Sequence, residues 1–182
     1  MTDKDLIAWI DVETTGLSPS NSSLLEIAVL ITDTDLNLLD DAGYHGTIRY
    51  SREEVESLKS ETVPFVVEMH TKNGLWSRLP GGKPLEVVEE EVLAYIKQFA
   101  PNPQQARVGG NSVRLDLNFL DAFLPSVASH LHYRFFDVTS LATAALWWMG
   151  SEPDKPESDH TAKGDILASL EQARALRAQF GI

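Results

Sequence analysis

The chain has 182 residues, 43% of them hydrophobic, which is enough for about one domain with a sizeable core and excludes disorder as its main state. Lys and Arg number 15 against 27 Asp and Glu, a net charge of −12. Such a balance excludes gripping long duplex DNA by phosphate neutralisation, though not an enzyme that collects cations to work on phosphates. With no cysteine, disulfide frameworks, cysteine zinc sites and thiol chemistry are excluded as well.

The opening MTDKDLIAWIDVETTGL lacks a basic region followed by an apolar one, so no secretory signal is expected. No apolar run approaches the ~20 residues of a membrane span. A cytoplasmic protein with no membrane partner is the expectation. Leu6 to Val12 reads as a buried strand that Thr14, Thr15 and Gly16 stop. Leu24 to Thr32 is a second strand, and Leu38 to Arg49 a weaker third beyond the turn at Asp33 to Asn37. Short connections make these three an antiparallel meander. Ser51 followed by Glu54 is a capping box and starts a helix at Arg52. Glu61 to Lys72 is helical with an early break at Pro64, and Leu79 to Pro84 is a turn-rich loop. Leu85 to Phe99 carries Val88, Val92, Ile96 and Phe99 at helical spacing, and Pro101 and Pro103 end it.

Arg107 to Asn111 predicts a short strand, and Val113 to Leu124 a helix closed by Pro125. Tyr133 to Thr139 is a last strand, with His130 and His132 alternating on its approach. Ser140 to Met149 is a helix, Gly150 to Ser158 a loop, and Thr161 to Phe180 a long amphipathic helix. The sum is an α/β domain over residues 1–182, a mixed five-stranded sheet flanked by helices.

Asp11 and Glu13 close the first strand. Side chains at i and i+2 share a face, so two carboxylates meet there beside apolar neighbours. A divalent cation between them relieves the repulsion, and hard oxygen ligands suit Mg²⁺ or Mn²⁺. The alternative is a solvated strand end. Asp116 lies at the edge of the apolar stripe of its helix and needs a partner if buried; the alternative is an exposed helix acid, as Asp121 is expected to be. Asp165 sits beside the stripe of Ile166, Leu170 and Ala173. His160, five residues earlier, cannot share that helical face; it belongs to the preceding loop, its ring swung inward, unless it is simply solvated. A Walker phosphate loop and a GxSxG nucleophile elbow are both absent.

DVETTGL, GNSVRLDLNFL and HTAKGDI follow one another in that order. Together they resemble the three motifs of the DEDDh 3′–5′ exonucleases, whose fold is ribonuclease H-like. HYRFFDVTSL (132–141) and MHTKNGL (69–75) resemble the oligoribonuclease branch, which degrades very short oligonucleotides. The resemblance implies that Asp11, Glu13, Asp116 and Asp165 hold two Mg²⁺ or Mn²⁺ ions and that His160 is the general base. It implies that Leu17 wedges beside the bases, that Phe65 stacks on one, and that His70 lies on the substrate side. Ser112, Arg134 and Thr139 match a cap on a 5′ phosphate. Tyr133 matches a tyrosine that reaches the active site from the partner in a homodimer. Phe65 read alone is equally a core residue beside Val66 and Val67, and Leu17 equally packs in its own turn.

The chain departs from the branch in three places. Glu13-Thr14-Thr15-Gly16 is closer to proofreading exonucleases, Arg114-Leu115 before Asp116 is unusual, and ATAALWW (142–148) replaces a more basic helix. The resemblance implies short single-stranded RNA or dinucleotides as substrates; the departures leave short DNA, and a proofreading or general DNA exonuclease, as the alternative. A non-catalytic nucleotide binder and a structural interaction protein are the readings from other classes. Trp147 and Trp148 belong either to a dimer interface or to the core.

Overall fold

The computed structural model describes residues 5–158 and 160–181. Of the domain expected over 1–182, residues 1–4, 159 and 182 lie outside the described residues. Five strands, β1 (Leu6–Thr14), β2 (Leu24–Asp33), β3 (Tyr44–Thr47), β4 (Ala106–Gly110) and β5 (His132–Asp137), form one sheet in the order β3-β2-β1-β4-β5. The first three are antiparallel neighbours, while β4 runs parallel to both β1 and β5. Among the described residues, eight α-helices accompany them: α1 (Arg52–Glu61), α2 (Pro64–Lys72), α3 (Leu75–Arg78), α4 (Leu85–Phe99), α5 (Arg114–Phe123), α6 (Pro125–His130), α7 (Val138–Met149) and α8 (Ala162–Gln179).

Strand β1 is central and buried on both faces, which is why it reads as a nearly continuous apolar run. Its side chains alternate between two cores. Leu6, Ala8, Ile10 and Val12 pack with α4, α5 and α6, while Ile7 and Trp9 pack with α7 and α8. Asp11 and Glu13 continue the second row, so the same alternation aims them at the α8 side. Gly109 on β4 leaves room that no other residue could. A Cβ there would come within 2.4 Å of Ile7 Cγ2. Trp9 and Phe136 meet edge to face nearby, their rings 5.9 Å apart.

Several expected bounds shift. The third strand is confined to Tyr44–Thr47. Asp40 Oδ1 accepts from Ala42 N at 3.0 Å and Asp40 Oδ2 from Gly43 N at 3.0 Å, a side-chain-closed turn in place of the strand's first half. Pro64 starts a helix instead of breaking one, since a first-turn residue needs no N–H. Pro125 likewise opens α6, so His130 ends a helix and is not on a strand approach; its Nε2 lies 2.8 Å from the Ala100 carbonyl. The capping box at Ser51 is present as expected, with Glu54 N donating to Ser51 Oγ at 3.2 Å and Ser51 N to Glu54 Oε2 at 2.7 Å. Among the described residues, no helix is long and apolar enough to cross a membrane.

Candidate active site

Three elements deliver the acids. β1 supplies Asp11 and Glu13, and the first turns of α5 and α8 supply Asp116 and Asp165. A carboxylate in a first turn faces unpaired backbone N–H groups, which makes its charge less costly. Oxygens of Asp11, Glu13 and Asp165 all lie within 4.8 Å of one another. Asp116 closes the group from the α5 side, its Oδ1 accepting from Val12 N at 3.1 Å. The alternative readings of a solvated strand end and an exposed helix acid therefore fail for Glu13 and Asp116, which are 7% and 6% exposed. Asp121 is exposed, as expected.

Crowding sets the protonation. Burial, then the charges of Asp116, Glu13 and Asp165, push the Asp11 carboxyl well above its ordinary range. Burial and the Asp165 charge lift Glu13 to about 8. Burial lifts Asp116 to about 7 against the N–H groups that favour its anion. Four carboxylates cannot all stay charged here without added positive charge. One ammonium is at hand: Lys155 Nζ lies 3.2 Å from Asp165 Oδ1, which also accepts from Ser158 Oγ at 2.9 Å. Converging hard oxygens in partial burial are a donor set that fits Mg²⁺ or Mn²⁺.

Beneath Glu13 lies a second polar group. Glu26, opposite it on β2, is fully buried and takes Arg78 at 2.6 Å and His45 at 3.1 Å. Burial opposes its charge, but hydrogen bonds from His45 and Arg78 prevail and hold it down at about 2. His70, expected on the substrate side, is instead wholly buried. Its Nε2 sits 3.0 Å from the Thr14 carbonyl, its Nδ1 3.8 Å from Glu13 Oε2, and its ring edge-on to Trp76. Burial depresses its pKa, so a neutral imidazole supports the end of β1 from below.

The remaining residues fall in three places. Leu17 and Phe65, 82% and 75% exposed, line one cleft of about 640 Å³. Neither is core, which removes the packing alternative for both. Ser112 and Thr139 are joined: their hydroxyls are 3.2 Å apart, and Ser112 N donates to Thr139 Oγ1 at 3.0 Å. Ser112 adopts a left-handed φ of 54° to make that turn. Arg134 is exposed on β5 with its guanidinium 5.4 Å over the exposed Tyr133 ring, which itself stacks on His132.

His160 takes the solvated one of its two expected states, on the loop before the helix. Thr161 caps α8, accepting from Gly164 N at 3.1 Å, so His160 lies just outside the helix at a φ of 54°. That backbone leaves its ring exposed beside Met69, Lys72 and Asn73 and not swung inward. Sequence reasoning also missed Lys155, Glu26, Arg78 and Asn73. Only Glu26 carried a signal, as a lone acid in the apolar run LLEIAVLIT that had to find a partner.

Comparison with known proteins agrees with this geometry. Residues 8–173 match the model of the exonuclease family RNase_T. Oligoribonuclease from Leifsonia xyli subsp. xyli is 39% identical over 175 residues, covering 94% of this chain and 82% of its own. That from Francisella tularensis subsp. holarctica is 32% identical over 181 residues, with 99% and 98% covered. Among solved structures, product-bound exonuclease I superposes with a TM-score of 0.71 at 14% identity, over 96% of this chain. E. coli exonuclease I in complex with an oligonucleotide superposes at 0.70 and 15% identity, over 97%. The chain spans only 44% and 41% of those two proteins, and the likeness establishes the ribonuclease H-like fold. By its family match and its near full-length identity to the oligoribonucleases, this chain belongs to the exonuclease family, in its oligoribonuclease branch, and is a nuclease.

Proposed function

We propose that the chain is a 3′–5′ exoribonuclease that hydrolyses short oligonucleotides, above all 5′-phosphorylated dinucleotides, to mononucleotides. We take residues 1–182 as one such domain acting in the cytoplasm as a homodimer. The observation that carries the reading is the convergence of Asp11, Glu13 and Asp165 within 4.8 Å, with Asp116 alongside. These four residues would hold two Mg²⁺ or Mn²⁺ ions, which when bound stabilise the negative charge that builds on phosphoryl oxygens and make water more acidic.

The chain's own groups do the rest. The His160 imidazole takes the proton of the attacking water, and its ring turns inward from its exposed position to do so. Leu17 and Phe65 flank the cleft where bases lie, and stacking on Phe65 adds ~1–3 kcal/mol without sequence preference. Ser112 and Thr139 hydroxyls with the Arg134 guanidinium bind the 5′ phosphate by charge-assisted hydrogen bonds. A cap at a fixed reach from the acids acts as a length gauge, and the −12 charge repels longer chains. Tyr133, exposed on an edge strand, supplies its hydroxyl to the partner's site. The turn Glu13-Thr14-Thr15-Gly16, with the resemblance to oligonucleotide-bound exonuclease I, favours a second reading as a single-strand DNA exonuclease.

The test is a length series of 5′-phosphorylated RNA from two to about 20 nucleotides, with matched DNA and Mn²⁺, where a site that gauges length favours the dinucleotide. RNA dinucleotide should turn over fastest. Equal or faster cleavage of the longest strand removes the gauge, and equal rates on DNA favour the second reading.

A further inference from the structure

Asn73 occupies a junction that the proposed mechanism does not use. Its side-chain Oδ1 accepts from Leu75 N at 3.0 Å, which fixes the orientation of the amide. The Nδ2 group therefore faces outward, and it donates to the backbone carbonyl of His160. The Asn73 carbonyl accepts from Arg78 at 2.8 Å, and Arg78 donates in turn to the buried Glu26 at 2.6 Å. Glu26 lies directly across from Glu13 in the β1–β2 register. A continuous set of hydrogen bonds thus runs from the strand beside the acid cluster to the peptide of His160.

The other side of His160 is also tied. Its N–H donates to Ser158 Oγ at 3.3 Å, and Ser158 donates to Asp165 at 2.9 Å. The residue between these ties has a φ of 54°, a region that side chains avoid and that persists only where surroundings impose it. Yet its ring is exposed. The backbone is pinned on both sides while the side chain is free to rotate.

We propose that Asn73 is a positioning residue for His160, holding its peptide so that the ring reaches the acid cluster by side-chain rotation alone. The proposal rests on His160 as the general base. Asn73→Asp is the informative variant, because it keeps the acceptor that Leu75 N needs and replaces the donor to His160 with a carboxylate oxygen that its carbonyl repels. With Mn²⁺ and a 5′-phosphorylated diadenylate, kcat should fall roughly tenfold to a hundredfold with KM within about twofold, the pattern of a misplaced group and not of lost binding. Thermal unfolding should match the parent, and amide exchange should quicken at residues 160–162. In a His160→Ala background the same substitution should cost nothing more.

An equal loss in the His160→Ala background overturns the proposal, as does unchanged exchange at 160–162. Parent-like turnover by His160→Ala alone would remove the base and with it the positioning role. Quickened exchange in Asn73→Asp would then still uphold the anchoring of the segment.

Discussion

Glu13 and Glu26 face each other across two strands, yet they titrate in opposite senses. Glu13 is lifted to about 8 by burial and neighbouring acids, so the folded state resists its charged form. Such a group supports folding fully below its unfolded value of ~4.3, and that support is lost as pH rises toward 8. Asp116, lifted to about 7, acts in the same direction. Glu26, held at about 2 by His45 and Arg78 against its burial, contributes above ~4.3 and is lost as pH falls toward 2. With a chelator present, the Tm should therefore drop between pH 5 and 8. Mn²⁺ should restore it far more at pH 8 than at pH 5, since it competes with protons for the same oxygens. Asp11→Asn should abolish turnover and raise the chelated Tm at pH 8. Thermal melts across pH decide this, and a flat profile would refute the crowding of the acids. Asp11 and Glu13 were legible because strand alternation is strict. The partner of Glu26 was not, since Arg78 lies 52 positions away and nothing local announces it.

Helices with both a cap and a period were legible as elements. Ser51 and Glu54 start α1 where expected, and the stripe through Val88, Val92 and Ile96 marks α4. The helices that were missed, α3 and α6, have four and six residues. Helices that short have no propensity-driven stability and exist only through packing, which a sequence window does not contain. α3 matters because it carries Arg78. Arg78→Ala would leave the fully buried Glu26 with His45 and a long 3.4 Å hydrogen bond from Thr47 Oγ1, and should cost about 2–3 kcal/mol by urea unfolding. Glu26→Gln in the same chain should recover much of that loss, whereas a cost below about 0.5 kcal/mol in the single variant would mean the pair is idle. The His160 segment was the least legible. Its exposed ring follows from a left-handed backbone and a tie to Asn73, neither of which spacing along a helix reveals.

Across the whole molecule, one patch stands apart from the acidic surface. Trp147 and Trp148 at the end of α7 are 74% and 82% exposed, so they are not core. Leu146 and Met149 are exposed beside them, at 44% and 49%. Burying such aromatics between two copies would follow the usual composition of interface centres. Sedimentation should give about 40 kDa, twice the 20.2 kDa of one chain, and Trp147→Asp with Trp148→Asp should halve it. A parent species of about 20 kDa would refute the dimer.

The acids come from opposite reaches of the polypeptide, Asp11 on β1 and Asp165 on α8. During synthesis the earlier portions of a chain emerge and fold first. A partly translated copy has β1 and its two carboxylates but lacks the helix that completes the donor set. If the four acids act as proposed, hydrolysis awaits the making and docking of α8, which completes the donor set.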